Sequence, residues 1–485
     1  MILLYAVVAI IYCLIFSEYI QVDFNIEYTL TTIGVYLISN ILYFRKKKNI
    51  VSFEFLFALT FALACFLTYF IVEEGGGFAF FAFSSNPKSL VKGIALAMIG
   101  YHCYLCGLLS FKRQRIKTFK RHKVKILKKH KVKFLKRQKV KTFIGNEEPI
   151  YTKPIMASLA NWTCLMVFMF FMATGGMNVI LMYSGDIDRE DANIGTLLYW
   201  ILSYSVAVFV SFSSAKFSKS RNVLSNTLKL NKLFLVNTVI IIVFLLLSGY
   251  RSQAMQIIIP LLICYSIYVK KISAKIFFMI LIVGMVIMVV IGMTRSGGDV
   301  ENNVTMLYYF RDFNAANASL GFFVDEVSRN GVTGGSNYIP QTLSIIPFLQ
   351  SIVGSFIDFN YFALPSSRYY TGVFDSESGL GTNIIGDIYY TFGLVGVISV
   401  MFIMGMFCSY LSQKKNKYVF LMYLIFTGNS IFAARVELLY VVRMLTWGCI
   451  ILFAITIVAI MITFKKNGSA NNVRSKYGSN ISETR

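Results

Sequence analysis

Twelve runs of apolar residues constrain this chain more than anything else in it. They fall at roughly 1–19, 28–44, 52–72, 90–111, 155–174, 194–214, 233–249, 254–269, 275–294, 382–411, 418–434 and 441–464. A helix needs about 20 mostly apolar residues to cross the hydrocarbon core of a bilayer. Backbone groups in lipid must be satisfied within the chain, so runs this long read as membrane-spanning helices. Composition agrees. The 485 residues are 56% hydrophobic and only 14% charged, against about a quarter charged in a soluble domain. The expected fold class is therefore all-α and polytopic, with about twelve transmembrane helices in one domain over 1–464. The polar stretch 465–485 reads as a disordered tail.

The connections alternate in charge. Basic clusters follow the second span (RKKK, 45–48), the fourth, the sixth (Lys216 to Lys232), the eighth (Lys270, Lys271), the tenth (KKNK, 414–417) and the twelfth (Lys465, Lys466). The positive-inside rule then places both termini and all these loops in the cytoplasm. The N-terminal MILLYAVVAIIYCLIF has no basic n-region and no small-residue cleavage site, so it reads as a retained span. The opposite connections include 73–89, 184–191, the turn Tyr250–Gln253 and one large external loop, 295–381, between spans nine and ten. Within that loop, 338–365 is half apolar, but its prolines and Asp358 argue against a span. It reads as interfacial or re-entrant structure capping a cavity.

Residues 112–143 are four tandem octads, KRQRIKTF-KRHKVKIL-KKHKVKFL-KRQKVKTF, with sixteen Lys or Arg and no acid. Without them the formal charge falls from +24 to +8. A period of eight drifts by roughly 80° per unit on a helix, so no single apolar face is sustained. The alternating KVKIL and KVKFL pieces leave a strand open. With no aromatic stacking platform, the array does not read as a nucleic-acid grip. It fits a cytoplasmic anchor on anionic membrane lipids, at about 1 kcal/mol per basic residue. All eight cysteines lie in apolar runs, which argues against a disulfide framework. HCYLC (102–106) offers too few ligands for a metal and reads as helix packing.

The external face carries arginine where the cytoplasmic face carries lysine, with Lys88 and Lys92 the exceptions outside. Between Lys275 and Lys414 there is no lysine, and the cations there are Arg295, Arg311, Arg329 and Arg368. Arg251, Arg435 and Arg443 fall on the same side. Arginine presents a planar fork that binds phosphate oxygens in pairs and keeps its charge when partly dehydrated. The structural alternative is pairing with nearby acids such as Asp299, Asp312, Asp325, Glu326 and Glu437. For the set as a whole, an anionic lipid phosphate is the better match. No histidine lies outside, so a proton acceptor there has to be a carboxylate.

Two stretches carry a family resemblance. SGYRSQAMQIIIPLLICY (248–265) resembles the G-x-R-S turn between two spans of bacterial oligosaccharide repeat-unit polymerases, the Wzy-type O-antigen and capsule polymerases. GLGTNIIGDIYYTFGLVGVI (379–398) resembles the Asp, aromatic, F-G-x-x-G opening of their span after the large external loop. The resemblance runs from about 150 to 464 and leaves out the octads. It implies glycosyl transfer at the outer face of the cytoplasmic membrane. The donor would be a glycan on undecaprenyl pyrophosphate and the acceptor a sugar hydroxyl of a second lipid-linked unit. It implies no cofactor or metal, with a chain-length regulator and a flippase as candidate partners. On this reading Arg251, Arg295 and Arg311 grip the pyrophosphate, with Arg435 and Arg443 behind them. Asp387 is the first candidate base, and Asp312 and Glu326 are alternatives. Three rivals share features of the plan: an O-antigen ligase, which usually carries a loop histidine; a lipid-linked oligosaccharide flippase or transporter, whose repeated halves are not visible here; and a scaffold without catalysis.

Overall fold

A computed structural model describes residues 1–45, 47, 50–66, 77–78, 81–84, 86–129, 232–247, 251–268, 271–295, 311–346, 349–375, 380–413 and 417–479, with isolated positions between 159 and 173. Most of the expected fifth span, the whole of the sixth and the octads beyond Lys129 lie outside the described residues. The chain divides into two compact units. The first comprises Met1–Glu148 with Lys270–Leu445, and the second Pro149–Val269 with Thr446–Arg485.

In chain order the described elements are α1 (Ile2–Phe16), α2 (Ile26–Phe44), α3 (Phe53–Phe66), β1 (Gly77–Phe78), β2 (Phe81–Ser84) and α4 (Pro87–Lys129). Then come α5 (Lys232–Leu247), α6 (Arg251–Tyr268), α7 (Ala274–Arg295) and α8 (Arg311–Asn330). Three short helices follow, α9 (Tyr338–Leu343), α10 (Leu349–Gly354) and α11 (Ser366–Val373), with a 3-10 turn at Phe359–Tyr361. The last are α12 (Ile384–Leu411), α13 (Lys417–Gly428) and α14 (Leu438–Ser479). The described chain is thus helical except for the antiparallel β1–β2 hairpin. Among the described residues, three segments are long and apolar enough to cross a membrane: Pro87–Phe111, Ile384–Leu411 and Leu438–Ile462. Ile2–Phe16, Phe53–Phe66 and Val419–Gly428 are apolar but shorter.

The axis of the first unit is α4, which packs against α1 and α12. Leu90, Ile94, Met98, Tyr101, Tyr104 and Leu108 of α4 are all buried. Where α4 crosses α12, a methyl group on Gly107 would strike the Phe402 carbonyl, and one on Gly405 would strike the Tyr104 carbonyl. Two backbones can approach this closely only where neither carries a side chain, as at small-residue crossings in membranes. His102 packs in this core, with Nδ1 2.8 Å from the Met98 carbonyl and Nε2 3.0 Å from Ser39 Oγ.

Helix α12 is broken at Gly393, whose φ of 68° and ψ of −162° are non-helical. That is left-handed territory, which glycine enters without steric cost. The glycine of the F-G motif therefore separates the first turns of α12, which carry Asp387, from the rest of the helix.

Two stretches differ in detail from the composition-based reading. Helix α4 continues into the octads as far as Lys129, so the strand left open there is not formed over 112–129. Helix α14 continues to Ser479, so most of the polar stretch after 464 has a helical backbone.

Between α8 and α12, no helix among the described residues of 338–375 exceeds the eight residues of α11. That is far short of the roughly 20 a span requires. The segment is nonetheless apolar at its surface. Phe356 and Tyr361 are 85% and 87% exposed, and Ile346, Ile352, Ile357 and Leu364 are exposed with them.

Candidate functional site

The site begins at the start of α12. Asn383 caps this helix, its side-chain oxygen accepting from the Ile385 N–H at 2.9 Å. One turn on comes Asp387, a carboxylate where the helix dipole favours negative charge. It is fully buried, and a buried carboxylate must be met by donors. Three are present. The Tyr338 hydroxyl donates to Oδ2 at 2.6 Å, the Leu438 N–H to Oδ2 at 2.9 Å, and the Ser366 hydroxyl to Oδ1 at 2.6 Å. These donors come from α9, α14 and α11. One side chain therefore joins the short helices of the loop to the starts of two spans.

Glu437, immediately before α14, makes the reciprocal connection. It accepts from the Ser367 N–H at 3.0 Å and from the Ser367 hydroxyl at 2.5 Å. The first N–H groups of a helix have no partner within it. Glu437 thus satisfies one in the first turn of α11, and Asp387 satisfies one in the first turn of α14. The two carboxylates feel each other's charge. Tyr338 also feels both, and burial followed by the Asp387 charge holds its hydroxyl well above the usual tyrosine value. A chain of side chains braces the backbone behind: Thr333 donates to Asn337, Asn337 Nδ2 to Thr391, and the Thr391 hydroxyl to the Asp387 carbonyl.

Beneath lies an aromatic cluster, Phe323, Tyr370 and Tyr390, with Phe322, Tyr369 and Phe374 packed against it. At its edge Glu326 accepts from the Tyr369 hydroxyl and from Asn330 Nδ2, each at 2.7 Å. Burial and the Glu326 contact push Tyr369 up to about 12.

Two of the expected arginines come to this site. Arg435 lies on the turn pinned to α12 by the Ile384 N–H, which donates to the Ala434 carbonyl at 3.2 Å. Its guanidinium carbon is 5.9 Å from the centre of the Phe432 ring. Arg443 sits one turn inside α14, 5.1 Å from the Tyr440 ring centre, and Nη1 donates to Ser344 Oγ at 3.3 Å. Both guanidinium groups act electrostatically on the Tyr440 hydroxyl, and both are half-buried. Such partial burial strengthens their attraction for an anion relative to open water.

The other candidates are placed by backbone alone. Arg251 opens α6 in the second unit. In the first unit Arg295 closes α7, Arg311 opens α8 and Asp312 follows it. The side chains of these four lie outside the described residues. Among the acids weighed as arginine partners, Asp325 accepts from Ser89, Glu326 from Tyr369 and Glu437 from Ser367. Among the described residues no group of three or more His, Cys, Asp or Glu is placed to hold a metal ion.

Sequence reasoning singled out Asp387, Arg435 and Arg443 as candidates but gave no role to Tyr338, Ser366 or Ser367, and none beyond arginine pairing to Glu437. A signal for Glu437 exists. It stands between Arg435 and Arg443, directly before an apolar run, where a helix N-terminus favours an acid.

No curated protein and no solved structure matches the chain. A family model described as O-antigen polysaccharide polymerase Wzy matches residues 1–468. Apolar helices long enough to span a bilayer, the arginine and carboxylate cluster at the start of two of them and this nearly full-length match lead to one assignment: the chain belongs to the Wzy family of O-antigen polymerases.

Proposed function

We propose that this protein joins undecaprenyl-pyrophosphate-linked repeat units by glycosyl transfer at the outer face of the cytoplasmic membrane, without a metal. The family supplies the general activity, polymerisation of lipid-linked repeat units. The observation that carries the finer reading is a pair of half-buried guanidinium groups, Arg435 over the Phe432 ring and Arg443 over the Tyr440 ring, flanking the start of an apolar helix whose first N–H is met by Asp387. In the reaction the anomeric carbon departs from a phosphate oxygen through an oxocarbenium-like transition state, and negative charge grows on the leaving pyrophosphate. Fixed guanidinium groups, with the positive end of the α14 dipole, stabilise that charge as it develops. Such preoriented donors are typically worth about 3–4 kcal/mol each.

The twelve-span arrangement, with cytoplasmic termini and the 295–381 loop outside, puts this cluster at the outer face. The octads then lie in the cytoplasm against anionic lipid. The exposed apolar surface of 346–364 suits the boundary between headgroups and acyl chains, where the polyprenyl carrier also resides. Arg251, Arg295 and Arg311 remain part of the proposed pyrophosphate grip. The test is in vitro. Purified protein in lipid nanodiscs receives lipid-linked repeat units extracted from cells that lack this chain, and products are sized on a gel. The reading expects a ladder of polymer, and no ladder contradicts it.

A further inference from the structure

We propose that Glu437 takes the proton from the attacking sugar hydroxyl and that Asp387 is the positioning residue that holds Glu437 in place. This rests on the glycosyl-transfer reading above. A general base needs an oxygen lone pair that the substrate proton can reach. Asp387 has no such face: it is fully buried, and its two oxygens already accept from Tyr338, Ser366 and the Leu438 N–H. Glu326 stands on α8 at the edge of the aromatic cluster, where Oε1 accepts from Tyr369 and Asn330, and no arginine of the site neighbours it along the chain.

Glu437 differs from Asp387 in exposure and in having an oxygen to spare, and from Glu326 in standing between Arg435 and Arg443. It is half-buried, Ser367 occupies only Oε1, and Oε2 accepts no hydrogen bond among the described residues. Its place between Arg435 and Arg443 puts the carboxylate beside any diphosphate that those two guanidinium groups hold. Asp387 fixes it from behind, because the N–H that Asp387 accepts belongs to Leu438, the next residue. The step balances. The acceptor oxygen bonds to the anomeric carbon, and the bond from that carbon to the phosphate oxygen breaks with its electron pair leaving on the pyrophosphate. The hydroxyl proton passes to Glu437 Oε2. Asp387 on α12 and Tyr338 on α9 interact electrostatically with Glu437, and the charged and titratable groups nearest along the chain to it and to its partner Ser367 are Arg435, Tyr440, Arg443 and Arg368.

The experiment compares wild type, Glu437→Gln, Glu437→Asp and Asp387→Asn in nanodiscs, with the same extracted repeat units, over a range of pH. Wild type should lose rate on the acidic side as the base becomes protonated. Glu437→Gln should be slower by about 10²–10⁴-fold, bind the lipid-linked donor as wild type does, and show no acidic limb. Asp387→Asn should lower kcat while keeping the limb, because the base is still present. A Glu437→Gln variant as fast as wild type overturns the inference alone. A wild type that makes no polymer overturns the glycosyl-transfer reading beneath it. Where Glu437→Gln gives no folded protein, Glu437→Asp decides: the shortened carboxylate should cost about 10²-fold in kcat with the limb retained, and an unchanged kcat overturns the assignment.

Discussion

The crossing of α4 with α12 and the block of short helices from Tyr338 to Val373 are held by opposite means. The crossing is apolar and close, with Gly107 and Gly405 letting backbone meet backbone. The block presents Phe356 and Tyr361 outward and is fastened by a few hydrogen bonds to two acids, Asp387 and Glu437. Packing in the first region is spread over many buried side chains, so it tolerates no added volume. The second concentrates its attachment on charged groups that a phosphate-bearing substrate could also address. The lesson is a division of labour: the glycine crossing makes the bundle, and the carboxylate clamp sets the geometry of the site.

This contrast can be broken in several places. The largest effect is expected at Gly405→Val, where new methyl groups meet the Tyr104 carbonyl and backbone would have to move. Overpacking of this kind costs about 3 kcal/mol or more, and the folded peak should vanish from size-exclusion chromatography in detergent. Asp387→Ala should be the next largest. It strands the Tyr338 and Ser366 hydroxyls and the Leu438 N–H, a loss of about 3–5 kcal/mol, seen as a large drop in the thermal unfolding temperature. If Asp387→Ala melts like wild type, the clamp is not what holds the loop. The smallest effect is expected at Phe356→Trp, which should leave stability near wild type. Its fluorescence should be quenched by lipids brominated near the headgroup and little affected by aqueous iodide. The reverse pattern would place this surface in water.

Most of the long helices were legible because apolar run length is a local property. The runs at 28–44 and 275–294 became α2 (Ile26–Phe44) and α7 (Ala274–Arg295) with small shifts at the ends. The F-G-x-x-G stretch was recognisable, and Gly393 is where α12 breaks. What the sequence did not disclose is the clamp. Tyr338 and Leu438 lie 49 and 51 residues from Asp387, and no periodicity reports a pairing at that distance. Asp387 was conspicuous because a charge in an apolar run is costly. That cost has two resolutions, catalysis or full enclosure by donors, and only the fold distinguishes them. Glu437 enters the sequence reading only as one of several acids near enough to pair with an arginine. Helical backbone reaching Lys129 shows a further limit: an eight-residue period removes a continuous apolar face without preventing a helix.

The central claim is that guanidinium groups at the start of α14 hold the departing pyrophosphate. Its most direct test is the polymerisation assay with the Arg435→Ala and Arg443→Ala variants, each first shown to melt near wild type. Losing one such donor from the transition state should lower kcat by about 10²–10³-fold, so that single repeat units persist where wild type makes long chains. Wild-type chain lengths formed at wild-type rate by both variants would contradict it.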